Sequence, residues 1–224
     1  MIGIVKKIKL SSRRQIAMRD ELQCSPTSTY TIRNITMSTR HIPKICLQTE
    51  RLNLHTVTRS DAPTQLQYYL DNRKHLQLWE PSRTEDFYTL PALKERLISM
   101  EQQMQADNAL YLLLHHRYSG ELLGECNFTN FVRGPFQACH LGFSISAANE
   151  GQGLTREALT SAIDFIFQTY GLHRIMANYH PENQRSSQLL TRLGFEIEGK
   201  ARAYLKINGE WADHILSSRI NEGI

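Results

Sequence analysis

Two closely spaced glycines stand where a segment of alternating apolar residues gives way to a helical pattern: Glu150-Gly151-Gln152-Gly153-Leu154-Thr155. Glycine lets a backbone approach a ligand closely, and the first turn of a helix has unpaired N–H groups and a partial positive charge. The segment therefore predicts a pyrophosphate site. It is not a dinucleotide-binding fingerprint, because Arg156 replaces the third glycine, nor a P-loop, because no Lys-Ser or Lys-Thr pair follows. A tight strand–helix turn without a ligand is the alternative interpretation.

The hydrophobic periodicity predicts the elements that position this loop. Alternating patterns predict strands at 48–57, 109–116, 121–131, 137–146, 173–180, 195–207 and 210–220, and helical patterns predict helices at 61–71, 91–106, 154–170 and 183–193. Turns are expected at Tyr118-Ser119-Gly120 and Asn208-Gly209, and Gly171 and Gly194 are expected to end helices. This order predicts an α/β (α+β) domain with a mixed sheet.

Positive charge is concentrated at the beginning of the chain. The 224 residues have a net charge of +4, yet residues 1–46 alone carry nine Lys or Arg against two acids. We predict that residues 1–46 form a poorly ordered basic extension. A basic arm that contacts RNA or the ribosome and a transit peptide are the alternatives. Residues 47–221 then form the folded domain, whose mildly negative charge would suit a basic protein partner.

The composition argues against several other classes of protein. No apolar run approaches the roughly 18 residues of a membrane span. The four cysteines, Cys24, Cys46, Cys126 and Cys139, form no CxxC pair, so neither a zinc site nor a redox motif is expected. Because no secretory signal is recognisable, these thiols are expected to be reduced and the protein to be cytoplasmic.

From 140 to 195 the chain resembles the acetyl-CoA core of the GCN5-related N-acetyltransferases, in which the fourth strand leads into an [RQ]-x-x-G-x-[GA] loop and a helix. Gly153 matches the middle glycine, whereas Glu150 and Thr155 depart from the first and last positions. Four further segments resemble the ribosomal-protein-alanine N-acetyltransferases of this family: 79–81, 173–179, 185–199 and 208–216. The resemblance implies a mixed, mostly antiparallel twisted sheet that splays between its fourth and fifth core strands and is flanked by helices.

The resemblance also implies acetyl-CoA as the cosubstrate, without a metal. The residues expected to contact it are Phe143, Ser144, Ile145, Gly151, Gln152, Gly153, Leu154, Thr155, Arg156, Asn183, Arg185 and Ser187. Within this set, a main-chain N–H of 143–145 would bind the thioester carbonyl. Helix capping by Asn183 and a solvated position for Arg185 are the alternatives. Glu150 should repel a pyrophosphate, so it either turns to solvent or weakens coenzyme binding.

Acetylation of an amine requires an acceptor for the amine proton and a donor for the leaving thiolate. An α-amine has a pKa of about 8, so a modest base is sufficient. Ser186 matches the serine with which related enzymes protonate the thiolate; capping of the helix is its alternative role, and Ser187 replaces it if the register shifts by one. Some relatives place a Glu on the fourth strand, two residues before its Gly-aromatic pair, and His140 stands at that position as a candidate base. A structural role is its alternative, and Glu80 and Glu125 are rival carboxylates.

Trp79 and Tyr204 are candidates for a peptide-binding mouth, although packing at the core or its rim would explain both. The resemblance implies that the acceptor is the N-terminal amine of a protein, with Ala or Ser of a ribosomal protein as the expected residue. A small-molecule amine as acceptor and a non-catalytic module that binds CoA or the ribosome are the alternatives. Neither a membrane nor a nucleic acid is expected to be required, and the protein is expected to be a monomer or dimer.

Overall fold

The computed structural model describes residues 44–223, so the predicted extension lies almost entirely outside the described residues. The elements follow one another as β1 (Cys46–Gln48), β2 (Leu52–Thr56), α1 (Ala62–Asp71), α2 (Arg73–Leu76), α3 (Leu90–Gln105), β3 (Leu110–His116), β4 (Leu122–Val132), β5 (Ala138–Ile145), α4 (Leu154–Phe165), β6 (Arg174–Met176), α5 (Gln184–Arg192), β7 (Glu196–Ile207) and β8 (Glu210–Ile220). The predicted succession of strands and helices is confirmed, except that the first predicted strand is divided into β1 and β2 and the short α2 is added.

All eight strands belong to one sheet, in the order β1-β2-β3-β4-β5-β6-β8-β7. Only β5 and β6 run parallel, and every other pair is antiparallel. The central strand β3 is buried at five successive positions, 110–114, which requires helices on both faces of the sheet. Helices α1 and α3 pack together against β4 and β3, and α4 packs against β2. The predicted mixed, mostly antiparallel sheet flanked by helices is confirmed.

The sheet opens between β5 and β6. Pairing between these strands extends only over Ala138–His140 and Arg174–Met176, whereas β5 continues to Ile145. The chain after β6 stays with β8 instead, since the Tyr179 and Ile215 main chains exchange hydrogen bonds of 3.1 and 2.8 Å. Because β1 is a short additional strand, β5 and β6 are the fourth and fifth core strands. The predicted splay therefore lies where it was expected.

Leucines supply most of the core on both sides of this opening. The fully buried members include Leu52, Leu54, Leu93, Leu97, Leu110, Leu112, Leu114, Phe128, Leu159 and Ile163. Burial of each such side chain contributes about 1.5–3 kcal/mol to folding. The apolar positions in α4 recur with a 3.6-residue spacing, which directs Leu159 and Ile163 into this core. This packing fixes the position of the helix that begins directly after the glycine loop.

Three predicted elements differ in extent. The single strand expected at 48–57 is a hairpin, because Thr49 N–H donates to the Leu52 carbonyl at 2.9 Å and the chain reverses there. A period of two cannot distinguish one long strand from two joined by a tight turn. The strand expected at 173–180 has regular pairing only at 174–176. The helix expected at 154–170 is regular to Phe165 and then widens into a π-helical turn that Gly171, with φ of 59°, ends.

The β7–β8 hairpin contains a primed turn and a bulge. Asn208 and Gly209 have φ of 48° and 90°, as the predicted two-residue hairpin turn requires. The register shifts between Ala201 and Leu205, where Ala203 has φ of 48° and its N–H donates to Asp213 Oδ1 at 2.9 Å. A bulge re-aims the side chain that follows it, which here is Tyr204.

Candidate active site

The loop between β5 and α4 has the backbone that a close ligand requires. Gly151 and Gly153 have φ of 73° and 76°, a region that residues with a Cβ rarely adopt. Helix α4 begins immediately afterwards, at Leu154. The two glycine positions of the family pattern also fit Gly151 and Gly153, which places Ala148 at its first position and removes Glu150 from it.

The N–H groups of this loop are available to a ligand. Within residues 44–223, no acceptor meets the main-chain N–H groups of Gln152 to Arg156, and the first bond into the helix runs from Glu157 N–H to the Gly153 carbonyl at 3.1 Å. Several unpaired N–H groups at the positive end of a helix form an anion site. The residues present therefore fit the coenzyme's pyrophosphate.

Arg51 of the β1–β2 turn holds the loop in this orientation. Its Nη1 donates to the Gln152 carbonyl at 3.0 Å, and its Nε and main-chain N–H donate to the two Glu157 oxygens, both at 2.7 Å. Burial disfavours the charged carboxylate, but the hydrogen bonds from Thr49 and Arg51 outweigh it and lower the pKa of Glu157. Because the Gln152 carbonyl is turned toward Arg51, the Gly153 N–H of the same planar peptide faces the other way.

The carboxylate that was expected to oppose a pyrophosphate has two partners. Glu150 is ion-paired with Arg185 at the beginning of α5, and His75 Nε2 lies 3.4 Å from Glu150 Oε1. Glu150 is therefore neither turned to solvent nor left as an isolated charge at the loop. Arg185, expected at a coenzyme phosphate, instead neutralises a carboxylate beside the phosphate site.

The open edge of β5 presents main-chain groups to the gap. On the β6 side, the Gln137 carbonyl accepts from the N–H groups of 173 and 174, and on the β4 side Ser146 N–H donates to the Leu123 carbonyl at 2.7 Å. Since backbone groups alternate along a strand, the N–H groups of Phe143 and Ile145 point into the gap, whereas that of Ser144 points to β4. Two of the three residues predicted to meet a thioester carbonyl are thus oriented for it.

Three predicted residues lie at the start of α5, on the far side of the gap. Asn183 Oδ1 accepts from Ser186 N–H at 3.0 Å, so Asn183 does cap the helix. Ser187 Oγ is 3.2 Å from Tyr179 Oη. Ser186 is half-buried, and its hydroxyl has no hydrogen-bond partner among the residues that the structure describes. Of the two serines, Ser186 therefore has the hydroxyl that is free to act on a ligand.

A cleft of about 280 Å³ separates this helix start from the segment after α2. Its lining consists of His75, Leu78, Trp79, Glu182, Asn183, Gln184 and Arg185. The predicted coenzyme residues of α5 thus face the predicted mouth residue Trp79 across a single opening.

Of the three predicted proton acceptors, Glu125 affects the pKa of Glu80. Glu125 on β4 accepts at Oε2 from Tyr69 Oη at 3.0 Å and from Gln65 Nε2 at 2.9 Å, and burial raises its pKa despite these bonds. Glu80 lies in the non-regular segment after α2, 3.6 Å from Arg83. Burial raises the pKa of Glu80, and the negative charge of Glu125 raises it further.

The two carboxylates differ in the hydrogen bonds and ion pairs that they form. Glu125 accepts hydrogen bonds from two α1 side chains at one oxygen, whereas Glu80 has only a longer ion pair, with Arg83, within residues 44–223. A third α1 side chain, Tyr68, has its hydroxyl 2.9 Å from Ser144 Oγ. Helix α1 therefore fixes Glu125 and β5, whereas Glu80 receives no hydrogen bond from α1.

His140 lies apart from these carboxylates. It stands where β5 still pairs with β6, opposite Met176, whereas Glu125 is opposite Ser144. Four residues of extended strand span about 13 Å, so the structure does not bring His140 to Glu80 and Glu125. Its Nδ1 is buried without a partner among the described residues, and burial lowers the pKa of the imidazole.

Four rings follow one another from the segment after α2 to the β7–β8 hairpin. The ring centroids of Trp79 and His180 are 6.0 Å apart, those of His180 and His214 6.1 Å, and those of His214 and Tyr204 5.6 Å. Asn178 Nδ2 also donates to Tyr204 Oη at 3.0 Å. Trp79 and Tyr204, both predicted at the mouth, are thus connected by ring contacts through His180 and His214, which the sequence did not single out.

The sequence did not single out Arg51 or three side chains of α1 that contact candidate site residues. Gln65, Tyr68 and Tyr69 occupy one helical face, and the spacing of Gln65 and Tyr69 is the i, i+4 spacing that places side chains together. That spacing was a usable signal for α1. Arg51 had no such signal, because it acts on a loop that lies 101 residues further along the chain.

No group of three His, Cys, Asp or Glu side chains able to hold a metal occurs in residues 44–223. Among the same residues, no helix is long and apolar enough to cross a bilayer. The site consists of main-chain N–H groups, hydroxyls and carboxylates, which is the chemistry that acyl transfer to an amine requires.

A family model described as "Acetyltransferase (GNAT) domain" matches residues 51–196. The chain belongs to this family and is an acetyl-CoA-dependent N-acetyltransferase.

Several individual proteins are similar to most of this chain. The "[Ribosomal protein uS5]-alanine N-acetyltransferase" of Escherichia coli (strain K12) is 44% identical over 178 residues, which are 80% of this chain and 92% of that protein. The crystal structure of ribosomal-protein-S5-alanine acetyltransferase from Vibrio fischeri has a TM-score of 0.77 and 37% identity, covering 80% of this chain and 98% of that one. Mycobacterium smegmatis RimJ, in complex with CoA-disulfide, has a TM-score of 0.73 and 26% identity, covering 77% and 83%.

Proposed function

We propose that this protein transfers the acetyl group of acetyl-CoA to the N-terminal α-amine of a ribosomal protein, and that the N-terminal alanine of uS5 is its acceptor. The support for the acceptor is the 44% identity, over 92% of its length, with an Escherichia coli enzyme named for that reaction. Because ribosomal proteins are made in the cytoplasm, we place the reaction there.

The position of Glu80 carries the proposal. It adjoins Trp79 at the mouth of the cleft, and burial together with the charge of Glu125 raises its pKa. An α-amine with a pKa of about 8 arrives mostly as the ammonium ion. A carboxylate at the mouth attracts that cation, and a carboxylate whose pKa is raised toward neutrality is a stronger base for removing its proton.

Different residues around the gap bind different groups of the coenzyme. The N–H groups of Gln152 to Arg156 bind its pyrophosphate, with the loop held by Arg51. Acetyl-CoA supplies the thioester carbonyl that the amine attacks. The N–H groups of Phe143 and Ile145 point into the gap and stabilise the negative charge that develops on the carbonyl oxygen.

Three proton movements complete the transfer. Glu80 first removes one proton from the ammonium ion, directly or through one water, and releases it to solvent, which frees the lone pair that attacks the thioester carbonyl. As the nitrogen–carbon bond forms, Glu80 accepts a second proton from the nitrogen. The Ser186 hydroxyl donates a proton to the sulfur as the carbon–sulfur bond breaks, and it regains that proton from solvent. Glu125 stays within its hydrogen bonds to Tyr69 and Gln65 and acts on Glu80 through its charge.

A thiol-release assay tests the proposal. The purified protein and acetyl-CoA are given the N-terminal peptide of uS5 beginning with Ala, the same peptide beginning with Ser, its Nα-blocked form and a polyamine. We expect release of CoA with the Ala peptide and none with the blocked peptide. Release with the polyamine alone would identify a small-molecule acetyltransferase. If no acceptor gave release of CoA above background, only a binding module would remain.

Ribosomes provide the second test. Intact-protein mass spectrometry compares ribosomal proteins from a deletion strain and its parent. We expect uS5 from the deletion strain to be lighter by one acetyl group and every other ribosomal protein to be unchanged. An unchanged mass of uS5 would exclude the proposed acceptor.

A further inference from the structure

The tip of the β7–β8 hairpin reaches across the opening to the segment that carries Trp79 and Glu80. Asn208 Nδ2 donates to the Gln77 carbonyl at 3.2 Å, across 131 positions of sequence. Ser82 Oγ donates to Asn208 Oδ1, also at 3.2 Å. One carboxamide therefore binds the segment on both sides of the two candidate acceptor-site residues.

Residues 77–84 depend on such contacts for their position. They contain no strand, and the last helical bonds before them run from Gln77 N–H to the Arg73 carbonyl at 3.0 Å and from Trp79 N–H to the Leu76 carbonyl at 3.1 Å. Pro81 cannot donate a main-chain hydrogen bond. A segment with few internal hydrogen bonds and a partly exposed tryptophan adopts one conformation only when other elements hold it.

The amide of Asn208 is itself held in place by the turn. The positive φ of Asn208 and Gly209 defines the two-residue turn, and asparagine is among the few residues that tolerate this conformation. The side chain and the backbone of Asn208 can therefore be separated experimentally. Glycine adopts the same φ without strain, so Asn208→Gly removes the carboxamide and preserves the turn.

We propose that Asn208 is a positioning residue for acetyl transfer, whose carboxamide holds the segment 77–82 over the acceptor end of the gap so that Trp79 and Glu80 meet an incoming amine. The inference rests on the proposed function, because it assigns the acceptor to this end. The same contact joins the segment 77–82 to the tip of the β7–β8 hairpin.

Loss of the carboxamide should affect the acceptor and spare the coenzyme. The pyrophosphate loop is held by Arg51 and Glu157, which belong to other elements. Two neutral hydrogen bonds are sufficient to change an equilibrium about tenfold. We therefore expect Asn208→Gly to raise KM for the uS5 peptide about tenfold, with kcat reduced less and the dissociation constant of CoA unchanged.

A matched control makes the same chemical change elsewhere. Asn130 also has a positive φ, 54°, lies exposed at the β4 bulge and makes no side-chain hydrogen bond within the described residues. Asn130→Gly should leave the peptide KM and CoA binding at wild-type values. Ser82→Ala removes one of the two hydrogen bonds and should raise the peptide KM by an intermediate factor.

The outcomes distinguish the inference from the function on which it rests. If the wild-type protein does not acetylate the peptide, the proposed acceptor is wrong. If the wild-type protein is active but Asn208→Gly and Ser82→Ala both retain its peptide KM, the positioning role is excluded. A lowered melting temperature with unchanged KM would reduce Asn208 to a stabilising residue and would also overturn the inference. Should Asn208→Gly not fold, Ser82→Ala decides alone.

Discussion

Arg185 of α5 is ion-paired with Glu150, the residue that immediately precedes the two loop glycines. His75 approaches the other oxygen of the same carboxylate at 3.4 Å. The pair joins the phosphate-binding loop to the helix that carries Ser186. It also places one negative charge beside a site for a dianionic group, and one mostly exposed guanidinium compensates that charge.

The first prediction follows from this pair. Glu150→Gln removes the negative charge near the N-terminus of α4, so CoA should bind about two- to fivefold more tightly, as for other charges near a helix N-terminus. Arg185→Ala should weaken binding, because Glu150 is left uncompensated. Calorimetric titration at low and at high salt measures both effects, which should shrink as ionic strength rises. Equal affinity of Glu150→Gln and wild-type protein at low salt would contradict the electrostatic argument.

The second prediction concerns pH. Glu80 must be ionised to accept a proton, and its pKa is raised, first by burial and then by the charge of Glu125. The rate should therefore fall as pH decreases through this raised value. Glu125→Gln removes the nearby charge, which favours ionised Glu80 and lowers its pKa, so the acid limb of kcat/KM should move to lower pH.

Two variants control the pH experiment. Glu80→Gln should abolish the acid limb and lower kcat on the order of 10²-fold, as for loss of a general base. His140→Gln should leave the acid limb in place, because His140 lies apart from the carboxylates. Retention of the limb in Glu80→Gln together with its loss in His140→Gln would make His140 the base.

The third prediction separates two neighbouring serines. Ser186→Ala removes a hydroxyl that has no hydrogen-bond partner among the described residues. The main-chain N–H that Asn183 caps remains, so the helix should persist while kcat falls about 10²-fold. Ser187→Ala removes only the contact with Tyr179 and should retain most of the activity. Rates with the uS5 peptide and melting curves of both variants provide the measurement. A larger loss in Ser187→Ala would mean that the catalytic register is shifted by one residue.

The fourth prediction tests the loop. Gly153→Ala forces a Cβ into a left-handed conformation, with φ of 76°, which costs about 1–2 kcal/mol of stability. Gly120→Ala makes the same change at φ of 72° in the β3–β4 turn, where a Cβ would meet nothing within 4 Å. Both variants should melt at similar, lowered temperatures, but only Gly153→Ala should weaken CoA binding in a calorimetric titration. Equal CoA affinity in the two variants would remove the loop from the coenzyme site.

Local sequence was sufficient for most elements and for the coenzyme loop. The helical spacing of Leu159 and Ile163 specified the buried face of α4, and the Asn208-Gly209 dipeptide specified the hairpin turn, because both effects act within a few residues. Gly151 and Gly153 were recognisable for the same reason, since positive φ at a strand–helix junction favours glycine. The β1–β2 turn was not, because its residues Thr49, Glu50 and Arg51 have no turn chemistry of that kind.

Only the tertiary structure decided which side chains meet in the acceptor site. Periodicity gives the face of an element on which a residue lies, but it does not say which element packs there. Three interactions join segments that are far apart in the chain. They are the effect of the Glu125 charge on the pKa of Glu80, the hydrogen bond from Arg51 to the loop, and the hydrogen bond from Asn208 to Gln77. Sequence alone therefore determined the class of chemistry and indicated the loop proposed for the coenzyme, whereas the proposal of Glu80 rather than His140 as the base depends on distances that only the folded sheet establishes.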